Sequence, residues 1–353
     1  MLVSSLEKLR ADWPSQRGNP QSTGVAQQPL GKELKEIWRA KLPDAIESTP
    51  AIYGGKVFLG DFSGKFACLN LADGKSVWQI DIAAARAAPA VSGDRVIVGD
   101  LDGIVHALKV TDGQHIWQLD IEGEIDSGAT IVDDKVYIAS QAGELVCLNL
   151  NNGEKQWTYD TMDQIRSSPT VAEERIFLAG CDGRLHQVAL TDGKSAGKPL
   201  DLDGPTGSTP TVLGSTVLVP TFGGLVLGLD WRQEKRLWEY ADSDRDQEYR
   251  SSPAATEQVA VVCSQGKLVT AIDVKSGKEL WKKTLRRRAD ASPVIAGNSV
   301  FVAATDGLLS RFDLQTGEEQ WQYEVRGSFL ASPAISDGKL VVATDQGDVL
   351  CFE

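Results

Sequence analysis

A short motif of small residues around a proline recurs along the chain at a nearly constant interval. It reads STPA, AAPA, SSPT, STPT, SSPA, ASPV and ASPA, and SGAT fills the one gap. The anchor residues are Pro50, Pro89, Ala129, Pro169, Pro210, Pro253, Pro293 and Pro333. Successive anchors are about 40 residues apart, and a fixed period of this length is the signature of a repeat architecture.

Each repeat contains four apolar segments separated by polar turns. In the first repeat, AIY, VFLGD, KFACLNL and SVWQI are separated by GGK, FSG and ADGK. Alternating apolar residues between Gly and Asp turns indicate β-hairpins. Four short antiparallel strands in about 40–45 residues match one propeller blade. We therefore predict an all-β fold, an eight-bladed β-propeller of four-stranded antiparallel blades; a seven-bladed ring would leave one repeat without a place.

The two ends of the chain complement each other. After Pro333 the chain contains three predicted strands and ends at VLCFE, whereas GKELKEIWRAKL (31–42) carries Trp38 with no repeat before it. We predict that 31–42 supplies the closing strand of the last blade, because this leaves no open sheet edge. Residues 31–353 then form a single propeller domain, and residues 1–30 are an N-terminal leader that packs on it.

Tryptophans recur in the predicted fourth strands, at positions 78, 117, 157, 238, 281 and 321. Most of them follow a turn glycine by four residues, as Trp78 follows Gly74. An indole beside a residue without a side chain can lie flat on the peptide. We therefore expect each indole to cover the turn that precedes it and to seal blade against blade.

Composition narrows the possible functions. The net charge of −13 disfavours binding to nucleic acid, because the phosphates would be repelled. The five cysteines include no CxxC pair, which indicates reduced, buried thiols. No stretch approaches 18 apolar residues, and the N-terminus lacks the pattern of a signal peptide. These features predict a cytoplasmic protein without membrane insertion, or a periplasmic or envelope-associated one if an export signal has been removed.

The repeat consensus ASPAxxDGKxxVATxDGxLxxLDxxTGxxxW resembles that of the PQQ-like (quinoprotein-like) propellers, over residues 31–353. The segment DWPSQRGNPQSTG (12–24) is similar to a leader that often precedes such rings in bacterial members. The family contains quinone-dependent alcohol and sugar dehydrogenases, and also non-enzymatic scaffolds of the BamB type, which serve outer-membrane β-barrel assembly. Because both branches share the fold, function has to be argued from the site.

The dehydrogenase branch is typified by longer chains with an adjacent Cys–Cys disulfide over the quinone and acidic residues that bind calcium. None of the five cysteines here has a cysteine neighbour. The stretch from Asp100 to Gly103 lacks the further acids of a dedicated calcium loop. We therefore expect no catalytic residues, no PQQ and no calcium, and a monomeric scaffold that binds a protein or peptide partner. The alternative is a small PQQ- or metal-dependent oxidoreductase.

A candidate site lies three residues before each anchor, where the chain enters an innermost strand beside one mouth of the channel. Six of the eight positions are charged, and the other two are Gly207 and Leu330. Alternating signs predict inter-blade salt bridges, which either fix blade order or form a polar floor for a peptide or small anion. Arg166 and Arg250, each short of one flanking acid, are the best candidates for ligand contact. The six charged residues are Glu47, Arg86, Asp126, Arg166, Arg250 and Asp290.

Blades four and five depart most from the repeat. Gly197 replaces the tryptophan of blade four, and blade five has an extra Trp231 beside Arg232. The charged connection ADSDRDQEYR (241–250) follows. Irregular loops on a regular scaffold are common binding sites, so Trp231 and Arg232 are candidate binding residues; drift in a tolerant surface loop is the alternative.

A run of three arginines at 286–288 stands out on an acidic protein. It is either a solvated loop paired with nearby acids or a dock for an acidic partner.

Overall fold

The structure, a computed structural model, describes residues 12–244 and 247–353. Within these ranges all regular structure is β-sheet, and no helix is present that could cross a membrane. Eight sheets are arranged as eight blades, each with four antiparallel strands in sequential order, which confirms the predicted propeller. The first strands of neighbouring blades contact one another, so they surround the central channel.

The strands of the eight blades follow the predicted turns. In blades one to three they are Ala51–Tyr53, Lys56–Gly60, Lys65–Asn70 and Ser76–Asp81; Ala90–Ser92, Arg95–Gly99, Ile104–Lys109 and His115–Asp120; Thr130–Val132, Lys135–Ala139, Glu144–Asn149 and Lys155–Asp160. In blades four to six they are Thr170–Ala172, Arg175–Ala179, Arg184–Ala189 and Leu200–Asp201; Thr211–Leu213, Thr216–Pro220, Leu225–Asp230 and Lys235–Ala241; Ala254–Ala255, Val259–Cys263, Leu268–Asp273 and Glu279–Thr284. Blade seven contains Val294–Ala296, Ser299–Ala303, Leu308–Asp313 and Glu319–Glu324, and blade eight Ala334–Ser336, Lys339–Ala343, Asp348–Phe352 and Glu36–Lys41.

The second and third strands are the most apolar because both of their faces are covered by neighbouring blades. Four of the five residues of Lys56–Gly60 and four of the six of Lys65–Asn70 are buried. The fourth strands, such as Ser76–Asp81, are mainly exposed except for the tryptophan. The core therefore lies between the blades, in a series of apolar clusters around the ring.

The ring is closed by the N-terminal strand, as predicted. Glu36–Lys41 pairs antiparallel with Asp348–Phe352, with Trp38 opposite Cys351. The backbone groups of Lys35 and Glu353 exchange two further hydrogen bonds. The last blade thus contains both ends of the propeller sequence.

The tryptophans seal the blades in a different register from the one expected. Trp38 lies over Gly74, where an added Cβ would be only 2.5 Å from the indole Cε3 atom, and Trp78 lies over Gly113. The same contact joins Trp117 to Gly153, Trp157 to Gly193, Trp238 to Gly277 and Trp281 to Gly317. These indoles cover a turn of the next blade, and the expectation that they cover the turn preceding them was wrong. The fourth-strand side chain faces the neighbouring blade, and its Nε1–H donates there, as from Trp38 to the Leu71 carbonyl at 2.8 Å.

Residues 12–26 run around the inside of the ring. Trp13 exchanges two backbone hydrogen bonds with Ile52 of blade one, and Val25–Ala26 pairs parallel with Val294–Ala296 of blade seven. Between these points the leader carbonyls accept backbone hydrogen bonds from the first strands. The donor–acceptor pairs are Val91–Pro14, Val171–Pro20, Val212–Gln21, Ala255–Thr23 and Ile295–Gly24. The leader is thus held by blades one, two and four to seven.

Candidate functional site at the channel mouth

The turns of each blade lie at two opposite ends of the molecule. In blade one the Leu71 N–H donates to the Gly55 carbonyl, which joins the turns after the first and third strands. The Ala85 N–H donates to the Asp61 carbonyl, which joins the turn after the second strand to the connection toward blade two. We call this second end, with its turns and inter-blade connections, the channel-mouth face.

Arg17 fills the channel beneath this face. Its side chain is fully buried, and its Nη2 group donates to the carbonyls of Pro253 and Pro293 at 2.9 and 2.8 Å. The Nε and Nη1 groups have no hydrogen-bond partner among the described residues. Burial without a carboxylate lowers the pKa of the Arg17 guanidinium to about 9. The chain's own leader therefore occupies the axis of the ring.

A belt of hydroxyl groups surrounds the channel between the leader and the mouth. The residue before each anchor accepts a hydrogen bond from the equivalent backbone N–H of the preceding blade, at 2.9–3.2 Å. The belt is interrupted at Ala88 and Gly128, and the leader's Gln16 bonds to both Gly128 and Ser168 there. The belt residues are Thr49, Ser168, Thr209, Ser252, Ser292 and Ser332.

Sequence reasoning did not identify this belt, although six of the eight anchors are preceded by Ser or Thr. Each hydroxyl can donate one hydrogen bond and accept others. The hydroxyl protons of Thr49, Ser252, Ser292 and Ser332 donate to no acceptor within the described residues, and these four residues line a cavity at the mouth. The floor of the channel mouth is therefore a surface of free hydrogen-bond donors.

The charged residues predicted three positions before the anchors form the rim of this cavity, with one exception. Five of them line it, and its volume is about 180 Å³. Arg166 is the exception: it is exposed and contacts Gln164 at 3.3 Å. The five lining residues are Glu47, Arg86, Asp126, Arg250 and Asp290.

The predicted alternating salt bridges form on one half of the rim. Arg86 binds Glu47 through Nε at 3.0 Å and Asp126 through Nη1 at 3.2 Å, which joins blades one, two and three. The expected pairs of Asp126 with Arg166 and of Arg250 with Asp290 are not formed among the described residues. Other side chains pair with these charged groups instead.

The partners that replace the expected ones are local. Arg250 binds Glu248, two residues away, at 2.7 Å. Asp290 accepts from Arg288 at 3.1 Å and from Gln265 at 2.5 Å. Among the described residues Arg250 pairs with Glu248 alone, and its side chain is exposed at the rim.

Trp231 lies at the end opposite the channel-mouth face, in the turn after the third strand of blade five. It is buried, and its Nε1–H donates to the Gly214 carbonyl at 2.9 Å. The guanidiniums of Arg175 and Arg232 lie 4.9 Å from its ring centroid, and Phe177 of blade four packs edge-on against it. These contacts seal the joint between blades four and five, where the usual tryptophan is missing.

Arg232 also forms an ion pair with Glu173 of blade four. A ligand-binding role for Trp231 and Arg232 stays a prediction, and the structure places it away from the channel mouth. Residues 245 and 246 of the charged connection 241–250 lie outside the described residues.

Two histidines in third strands, His106 and His186, are each held by an aspartate. His106 Nε2 is 2.7 Å from Asp100, and His186 Nε2 is 2.7 Å from Asp182. Asp100 is buried, which opposes ionisation, but its bonds to His106 and to the Ile104 N–H hold its pKa below the usual value. These pairs lie within single blades and brace the turn after the second strand.

Among the described residues, the channel mouth lacks the donor cluster of a metal site and the volume usual for a small-molecule site. Within 12–244 and 247–353, no group of three or more His, Cys, Asp and Glu side chains is placed to hold a metal. The mouth cavity of about 180 Å³ is smaller than the roughly 300–1,000 Å³ usual for small-molecule sites. Burial raises the pKa of the Cys68 and Cys263 thiols to about 12, so neither is a ready nucleophile.

Several solved structures share this fold. BamB from Moraxella catarrhalis superposes with a TM-score of 0.79 at 18% identity, covering 91% of this chain and 98% of that one. The quinohemoprotein alcohol dehydrogenase ADHIIG from Pseudomonas putida HK5 gives 0.83 at 12% identity, covering 97% and 80%. A europium-containing methanol dehydrogenase gives 0.82 at 11% identity, covering 97% and 98%. At these identities the likeness shows the fold alone.

The repeats and the ring thus define an eight-bladed propeller of the PQQ-like class. The family model described as outer membrane protein assembly factor BamB matches residues 32–117, 101–247 and 199–353. The chain therefore belongs to this family. No curated protein sequence shows significant similarity to it.

Proposed function

We propose that this protein is a non-enzymatic scaffold that binds a protein partner on its channel-mouth face, in the assembly of envelope proteins. Membership in a family described by the assembly factor BamB supports the partner class. The observation that carries the proposal is the occupation of the channel by the leader, with Arg17 fully buried on its inside. In this proposal the compartment is the cell envelope.

The filled channel favours surface recognition over catalysis. A catalytic pocket needs depth to exclude water and to orient a substrate. Here the leader leaves only a shallow cavity, lined by hydroxyls and by charges that are partly paired with each other. Such a surface can accept hydrogen-bonding groups of a partner's loop, and its charges can steer the partner during approach.

Arg166 and Arg250 are the rim residues best suited to partner contact. Within the part of the chain that the structure describes, Arg250 pairs only with the half-buried Glu248, and Arg166 hydrogen-bonds only to the exposed Gln164 side chain. Neither guanidinium joins two blades, in contrast to Arg86. Their replacement should therefore leave the ring intact while changing its binding surface.

The test is affinity capture with cross-linking from detergent-solubilised envelopes of the source organism. We expect the wild-type protein to retain a discrete protein partner, and the Arg166→Ala/Arg250→Ala variant to lose most of it. The matched control is Lys155→Ala, which removes an exposed cation from the fourth strand of blade three. Equal capture by all three proteins would contradict the placement of the interface.

A calorimetric titration with PQQ and Ca²⁺ tests the oxidoreductase alternative. The scaffold proposal expects no saturable heat for wild type. Micromolar binding of PQQ would overturn the scaffold proposal. The quinone would then bind either in the channel, after the leader has left it, or at another site.

A further inference from the structure

A second cavity on the channel-mouth face lies between blades six and seven. It has a volume of about 580 Å³ and is bounded by the turns after the second strands of both blades and by the connection between them. We call it the basic groove. Its lining residues are Gln265, Lys267, Arg287, Arg288, Thr305 and Asp306.

The basic groove contains cations without partners. Arg288 is paired with Asp290, and the nearby Arg286 is paired with Asp306 and Glu324. Lys267 and Arg287 are exposed and form no ion pair or side-chain hydrogen bond within the described residues. The lining has three cations and one carboxylate, a net charge of +2, on a protein whose net charge is −13.

Lys267 also occupies a backbone position that the fold reserves for glycine. Its φ is +68°, a left-handed conformation that is unfavourable for a residue with a Cβ. The equivalent turn position is glycine in every other blade: Gly64, Gly103, Gly143, Gly183, Gly224, Gly307 and Gly347. At this turn, in one blade of eight, the chain therefore has a cation in place of a glycine.

The equivalent turns of other blades leave little room beside the glycine. In the other blades the connection passes directly over the turn glycine: a Cβ at Gly64 would be 2.3 Å from the Ile82 carbonyl oxygen, and one at Gly307 would be 2.3 Å from that of Val325. At Lys267 the connection keeps its hydrogen bond, from the Leu285 N–H to the Lys267 carbonyl at 2.8 Å, and the Lys267 side chain lines the basic groove.

We infer that the basic groove binds an acidic peptide segment of a protein partner, with Lys267 and Arg287 pairing with carboxylates of that segment. This inference rests on the proposed scaffold function and specifies the chemistry of the partner. A flexible acidic segment complements the groove in charge. The net charge of −13 disfavours non-specific binding of such a segment to the rest of the protein.

The test is fluorescence anisotropy with a fluorescein-labelled Asp/Glu hexapeptide and its Asn/Gln counterpart, on the full chain at low and physiological salt. We expect wild type to bind the acidic peptide and not the neutral one. Lys267→Gly and Arg287→Ala should each weaken binding about 3- to 10-fold, and the Lys155→Ala control should leave it unchanged.

Lys267→Gly separates binding from folding, because it restores the glycine that the other seven turns use. Its thermal unfolding midpoint should rise while its affinity for the peptide falls. A rise in stability with unchanged peptide affinity would overturn the inference, as would equal binding of both peptides. Inorganic phosphate that binds as tightly as the peptide, with the same dependence on Lys267, would also overturn it, because the groove would then be a phosphate site.

The two proposals fail separately. If the peptide does not bind, the proposed interface at Arg166 and Arg250 is unaffected, because these two residues do not line the basic groove. If the peptide binds but no partner is captured, the groove binds an acidic segment and the proposed interface at Arg166 and Arg250 is wrong.

Discussion

Gly74 and Gly54 allow the contribution of an inter-blade tryptophan contact to be measured against a matched control. Both glycines lie in turns of blade one and both have positive φ, +68° and +59°. A Cβ at Gly54 would meet no atom within 4 Å, whereas a Cβ at Gly74 would lie 2.5 Å from Cε3 and 2.7 Å from Cδ2 of Trp38. The two Gly→Ala variants therefore share a backbone cost and differ in one contact.

We expect Gly54→Ala to lower the free energy of unfolding by about 1–2 kcal/mol, the usual cost of a left-handed residue with a Cβ. Gly74→Ala should lower it by about 3–5 kcal/mol. The indole of Trp38 must move from its buried place and give up its hydrogen bond to the Leu71 carbonyl at 2.8 Å, which contributes about 1 kcal/mol. The lost packing of a displaced aromatic side chain supplies the rest.

The assay is urea unfolding followed by circular dichroism, at neutral pH, for both variants and for both in a Trp38→Ala background. If the contact is the cause, Gly74→Ala should cost only about 1–2 kcal/mol once Trp38 is absent, so the cycle should show a coupling of about 2 kcal/mol. Equal destabilisation by Gly54→Ala and Gly74→Ala would refute the reasoning, since backbone strain alone would then account for both.

Two further predictions concern titratable groups. The pKa of the Asp100 carboxyl lies below its usual value of 3.8, because its hydrogen bonds to His106 and to a backbone N–H outweigh its burial. Ionised Asp100 therefore stabilises the fold above pH 3.8, and this stabilisation is lost as the pH falls through the lowered pKa. Asp100→Asn should flatten the decrease in the urea midpoint below about pH 4, and an unchanged slope would show that other carboxylates dominate. Burial raises the pKa of four of the five thiols to about 11 or 12, and Cys181 alone is partly exposed. At pH 8 about one thiol per native chain should therefore react with Ellman's reagent, and all five should react after denaturation. Fast reaction of several thiols in the native state would contradict this burial.

The fold could be predicted from the sequence because the repeat fixes it many times over. Each of the eight anchors is followed by the same order of strands and turns, so an irregular unit such as blade four, with its two-residue fourth strand, does not obscure the count. Closure by residues 31–42 followed from a missing strand at one end and a spare one at the other. Periodicity gives the number and order of the blades directly.

The site could be predicted only in part, because its geometry depends on contacts between blades. Five of the six charged positions before the anchors line the mouth cavity, and Arg86 forms the pairs expected of it. Arg250 and Asp290 instead have local partners that the repeat spacing does not encode. The turn covered by each tryptophan was also predicted wrongly, because the side chains of the fourth strand pack against the next blade. The unusual residue at position 267 could have been found from the sequence, because the other seven blades have glycine at the equivalent turn position.

The route of the leader has a consequence for the order in which the molecule is built. Arg17 bonds to residues 236 and 276 positions further along the chain, and Glu36 pairs with Phe352 at its far end. During synthesis the leader therefore has no complete place to bind until the last blade has been made. Long-range contacts of this kind are slow to form, because a large loop must close before they contribute. The first seven blades can therefore stack on their neighbours one at a time. The ring becomes a single cooperative unit only when the last blade has paired with the closing strand and the leader has bound inside the ring.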